Sequence, residues 1–142
     1  MAQEENVRTL TIISILIIVI TIGAGIWCLF FREPEEERAI NIVKSYGEGI
    51  GGAKTIEDVI ENRVEWLNRT GERDFTRGEW EVFSWSAEKE MEDAYLVECE
   101  IRCEASFATH SYIYEWRVNI ETGEVTPLNE GAEDVQTAAE EG

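Results

Sequence analysis

The amino-acid sequence predicts an α+β protein: an N-terminal single transmembrane helix, then a small domain of one or two helices packed on a four-stranded antiparallel meander. Three observations carry this. No charged residue occurs between Arg8 and Arg32. An apolar stripe at helical spacing follows through Ile56, Val59, Ile60, Val64 and Leu67. Two later stretches then alternate between apolar and polar residues. The first runs through Tyr95, Val97, Cys99, Ile101 and Cys103, the second through Tyr112, Tyr114, Trp116, Val118 and Ile120. A period near 3.6 marks one face of a helix and a period of 2 marks one face of a strand.

The uncharged interval follows a short flank, residues 1–9, opens at Leu10 and closes at Phe31. As a helix rising about 1.5 Å per residue it spans about 33 Å, matching the roughly 30 Å hydrocarbon core of a lipid bilayer. Trp27, Phe30 and Phe31 fall at its end, where aromatic rings favour the interface. Gly23, Ala24 and Gly25 offer the small residues of a cleavage site, but apolar character continues to Phe31, past the roughly 7–15 residues of a secretory apolar region. An uncleaved anchor is therefore expected. Cys28 does not read as a lipidation site, because bulky Trp27 precedes it. Thr21 and Gly25 have the small-xxx-small spacing of helix contacts in membranes. Basic residues flank both ends, Arg8 before and Arg32 and Arg38 after, so they do not set the orientation. The short leading flank favours a cytoplasmic N-terminus and an extracytoplasmic C-terminal domain at the cell membrane.

Residues 32–54 come next. Pro34 suits the first turn of a helix, with Glu35, Glu36 and Glu37 at its positive end. Ala39, Ile40, Val43 and Tyr46 give that short helix an apolar side, and Gly47, Gly49, Gly51 and Gly52 read as a hinge. The same glycines do not make a phosphate loop, since no apolar strand precedes them and Glu48 would face the phosphate.

The α+β domain itself is expected over residues 55–129. Thr55 reads as the N-cap of the second helix, Glu57 and Asp58 as its first-turn acids and Gly71 as its end. A strand is predicted over residues 80–86, then a charged connection over 88–93, then the two alternating strands. The run NIETGEV makes a hairpin turn into a short edge strand, the only place Pro127 fits. Residues 130–142, acidic and Ala-rich, read as a frayed tail or weak helix outside the core.

A helix followed by antiparallel strands, ending in Tyr112, Tyr114, Trp116 and Val118 and then Thr122-Gly123-Glu124-Val125, resembles the PepSY family of extracytoplasmic domains. It is similar in outline to cystatin-like folds. The resemblance covers about residues 55–129, and Asn119 stands where PepSY domains often have Asp. It implies a non-catalytic binding or inhibitory module, often membrane-tethered, and transfers no catalytic residue.

Composition narrows the chemistry. The net charge is -18, and the apolar interval with its flank removes only Glu4, Glu5 and Arg8, so the acidity belongs to the rest of the chain. Such a chain lacks the clustered Lys and Arg that nucleic acids or anionic lipid surfaces require. Cys99 and Cys103, four apart on one strand, lie about 13 Å from each other, beyond disulfide reach, and read as core thiols. With His110, the single histidine, they lack compact zinc-ligand spacing. The many glutamates read as a solvated face, and no nucleophile, base and orienting group assemble, so no catalytic, cofactor or metal residue is expected. Asn68-Arg69-Thr70 matches a glycosylation acceptor.

One oddity remains. Trp80 and Val82 take one face of the first strand while Phe83 and Trp85 split between the two faces. A strand apolar on both sides either lies under the short first helix or presents an exposed aromatic patch. Trp80, Phe83 and Trp85 are thus the candidate partner surface. The functional expectation is a non-enzymatic, membrane-anchored protein-binding module, such as an accessory subunit of a membrane complex. Its alternative is a membrane-tethered small-ligand-binding, sensory or inhibitory domain using the space between helix and sheet.

Overall fold

Alternation along the two long strands is realised residue by residue. In this computed structural model, which describes residues 33–49, 54–70, 78–105 and 108–142, strand β2 spans Ala94–Glu104 and buries every second side chain from Tyr95 to Cys103. Strand β3, Thr109–Asn119, buries Tyr114, Trp116 and Val118 in the same rhythm. With β1, Trp80–Lys89, and β4, Val125–Pro127, they form one antiparallel sheet in the order β1-β2-β3-β4. The anchor predicted over residues 10–31 lies outside the described residues, as do Gly51, Gly52 and Gly71. Among the described residues no helix is long and apolar enough to cross a membrane.

Strand β1 carries an irregularity. Val82 pairs with Ile101 and Ser84 with Glu100, leaving Phe83 as an extra residue. Such a bulge restarts the alternation. Trp85 therefore returns to the side of Trp80 and Val82, opposite Cys99, while Phe83 points away. The strand also runs three residues beyond the expected Ser86, because Ala87 still packs on the core and Lys89 pairs with Tyr95.

Among the described residues three helices cover one sheet face. Helix α1, Glu35–Lys44, lies against β1, β2 and β3. Glu35 in its first turn accepts hydrogen bonds from Lys89 and from the Tyr95 hydroxyl, fixing the helix start at one end of the sheet. Helix α2, Ile56–Thr70, lies against β1 through Ile56, Ile60 and Leu67. Its cap is reciprocal: the Asp58 amide donates to Thr55 Oγ1 at 3.1 Å, and the Thr55 amide donates to Asp58 Oδ2 at 3.0 Å. The Thr55 amide, and the Thr55 hydroxyl donating to the same oxygen at 2.8 Å, hold the Asp58 carboxyl below its ordinary range. Between these helices Gly47 has φ +99, and a Cβ there would lie 2.3 Å from the Lys54 carbonyl oxygen. A position read as a hinge is thus a close backbone approach that only glycine permits.

The third helix corrects the sequence reading. Residues expected as a frayed tail or weak helix outside the core form α3, Glu130–Glu141, whose Ala132, Val135 and Ala139 are buried in the core against β3, β4 and α2. Asn129 explains why it forms. Its Oδ1 accepts from the Ala132 amide at 2.9 Å, satisfying an orphan donor of the first turn. Its Nδ2 donates to the Ile113 carbonyl at 3.0 Å and to Glu115 at 3.1 Å, tying the cap to β3. The core closes around Trp116, fully buried, with Trp85 and Tyr114 stacked at 6.0 and 6.3 Å.

Candidate functional site

With the three helices on one face, the other face of the sheet carries no helix among the described residues. Its rows follow from the register: Glu81, Arg102 and Ser111; Ser84, Glu100 and Ile113; Ser86, Glu98 and Glu115; Glu88, Leu96, Arg117 and Thr126. The bulge adds Phe83 beside the second row. Phe83 and Ile113 are 48% and 47% exposed, on either side of β2 and so about 10 Å apart by strand spacing. Arg102 lies between charges and ring. It donates to both oxygens of Glu100 at 3.0 and 3.1 Å, and its guanidinium carbon is 3.4 Å from the Phe83 ring centroid. That cation–π contact orients both side chains.

The second arginine of this face, Arg117, donates to Glu90 at 2.7 and 3.3 Å, which holds the Glu90 carboxyl below and the Arg117 guanidinium above their ordinary values. Glu98 faces Glu115 directly across β2 and β3, an unfavourable like-charge pair. With its arginines engaged, the face keeps a surplus of carboxylates around two exposed large apolar side chains, Phe83 and Ile113, with Leu96 less exposed in the last row.

A second feature lies on the helical side. Where α1, α2 and β1 meet, a cleft of about 220 Å³ is lined by Lys44, Glu57, Ile60, Glu61, Val82 and Trp85. Lys44 Nζ reaches Glu57 at 2.7 Å and sits over the Trp85 ring, 5.3 Å from its centroid.

The three aromatic residues singled out from the sequence are not brought together. Trp80 is 7% exposed and stacks on Tyr112 at 5.3 Å on the helical side. Trp85 shares that side, floors the cleft and lies under Lys44 of α1. Phe83 alone reaches the open face. The cover expected from the short first helix lies over Trp85, whereas Phe83 is half exposed on its own and not part of an aromatic patch. Sequence reasoning missed Ile113 and Arg102; the usable signal was a lone isoleucine among the charged alternates of β3.

The remaining candidates are structural. Cys99 and Cys103 are buried thiols of the core, and burial pushes the Cys99 thiol up to about 12. His110 is exposed at the start of β3, opposite Cys103 in register. Among the described residues no group of three His, Cys, Asp or Glu side chains could hold a metal ion.

Asn68, the potential glycan acceptor, clamps the open edge of β1. Its Nδ2 donates to the Trp80 carbonyl at 2.9 Å and its Oδ1 accepts from the Trp80 amide at 2.8 Å, as a neighbouring strand would. Asn68→Asp sets a carboxylate oxygen against that carbonyl. It is expected to cost about 1–3 kcal/mol, read as a drop of several degrees in thermal midpoint. An unchanged midpoint would mean that the clamp contributes nothing. Compared with protein-family models, characterised proteins and solved structures, the chain matches none.

Proposed function

We propose that the chain is a non-enzymatic, single-pass membrane-anchored module that binds another protein at the membrane through the open face of its sheet. The observation that supports this is the face itself: Phe83 and Ile113, half exposed, set among carboxylates whose arginine partners are already engaged. Apolar contacts ringed by charge are the usual anatomy of a protein interface, and a partner with basic groups around an apolar contact would complement it. The anchor at residues 10–31 would hold the domain outside the cytoplasm and raise its local concentration toward partners in the same membrane. A non-catalytic role is favoured because the Cys99 thiol, with its value near 12, is no nucleophile at neutral pH. The PepSY resemblance points the same way.

The test is site-specific photo-crosslinking of the full-length chain in its native membrane. A benzophenone side chain at Ile113 is expected to give a discrete adduct, while the same group at Glu133, exposed on α3, gives none. Identical behaviour at the two positions would reject the open face as the docking site.

A further inference from the structure

We propose that the cleft between α1, α2 and β1 is a seat for an organic cation, an alkylammonium or guanidinium group, which Lys44 of the chain itself occupies in the unliganded protein. This does not rest on the reading of the open sheet face, which lies on the other side of the sheet. Three features of the cleft converge on that chemistry. Its floor is Trp85, braced by Trp116 at an interplanar angle of 18° and turned toward the cavity. An indole face carries negative quadrupole density and attracts cations most strongly of all side chains. Its rim on α2 carries Glu57 and Glu61, one turn apart and so on the same side of the helix. Glu57 is paired with Lys44, whereas Glu61 has no ion-pair partner among the described residues. Its walls, Ile60 and Val82, are apolar and suit a methylene stem.

Lys44 shows how such a group fits. Its ammonium lies between a carboxylate at 2.7 Å and the indole face, the two contacts a lysine or arginine analogue would seek. Two carboxylates against one ammonium leave the cleft with a net charge of about -1, one positive charge short of neutrality. The volume of about 220 Å³ exceeds many times the roughly 10–15 Å³ that admits one water, so a second cationic stem fits beside or in place of Lys44. Exposed cation–π contacts are individually weak. A free amine therefore binds weakly, whereas a basic side chain presented by a polypeptide gains from its neighbouring contacts.

The experiment follows the Trp85 indole N–H resonance of the full-length chain in non-ionic detergent, assigned with Trp85→Phe, at constant ionic strength. n-Butylammonium is expected to shift it saturably and 1-butanol, of similar shape, is not. Lys44→Met keeps the stem and removes the competing charge, so it is expected to tighten butylammonium binding about two- to fivefold. Glu61→Gln, an exposed change without a packing role, is expected to weaken it by a similar factor. A second arm compares a short peptide carrying one lysine with its norleucine counterpart. Tighter binding of the lysine peptide than of butylammonium identifies a polypeptide side chain as the source, and equal binding identifies a free amine. No saturable shift in the wild type and Lys44→Met, or equal affinity in the two, would overturn the proposal.

Discussion

Deleting residues 130–142 is expected to lower the stability of the domain by about 3–5 kcal/mol, although it removes five acids from a chain of net charge -18. The two sides of that statement can be separated physically. If the segment were a solvated tail, its loss would relieve self-repulsion and leave stability equal or slightly higher. As helix α3 it buries Val135, worth about 1.5–3 kcal/mol, and Ala132 and Ala139, worth about 0.8 kcal/mol for each buried methyl. Its removal also uncovers the β3 side of the core and leaves Asn129 without the amide it caps. Tyr46, which donates to Glu140 at 2.7 Å, loses its partner as well. Urea unfolding followed by tryptophan fluorescence measures the difference. A truncated chain with an unchanged or raised midpoint would return these residues to the status of a tail. Val135→Asp provides the same comparison at full length, since it charges the buried stripe and leaves the cap intact.

That segment shows where reading the sequence stops being enough. Strands β2 and β3 were legible because each is long and buried on one side, so period-two alternation alone assigns Tyr95 through Cys103 and Tyr114 through Val118 to the core. Helix α2 was legible for a comparable reason, a stripe of large aliphatics behind the Thr55 cap. Helix α3 offers the same grammar in smaller letters: a cap at Asn129 and buried positions at Ala132, Val135 and Ala139. Two of the three are methyl-sized, and no local rule says that a surface awaits them. The candidate sites were harder still. Phe83 and Trp85 were read as splitting between the two faces, but the bulge that separates them and decides which one is covered is set by pairing with β2. Arg102 and Ile113 join Phe83 only through the register of three strands. The cleft draws Lys44, Glu61 and Trp85 from three separate elements, a proximity that spacing along one chain does not encode.

Raising the pH above 9 is expected to destabilise the domain through Cys99, and Cys99→Ala is expected to remove that part of the loss. Burial lifts the thiol from an ordinary 9.0 to about 12. Between those values the unfolded chain has released the proton while the folded chain still holds it. Fewer protons are bound in the unfolded state, so stability falls with rising pH. The contribution is intact below pH 9 and declines through the window from 9 to 12, at a limiting slope of about 1.4 kcal/mol per pH unit. By pH 10 the loss amounts to about 1.4 kcal/mol. Tyr46, Tyr95 and Tyr114 are also raised from 10.0, the first two chiefly by hydrogen bonds to Glu140 and Glu35 and the third chiefly by burial. Their destabilisation has the same sign but begins higher, which makes the interval from 9 to 10 diagnostic for the thiol. Urea midpoints of wild type and Cys99→Ala under reducing conditions, compared across that interval, should converge as pH rises, the variant starting lower because it leaves a small cavity. Parallel curves would mean that Cys99 ionises at an ordinary pH in the folded protein. The raised thiol would then no longer count in favour of the non-enzymatic reading.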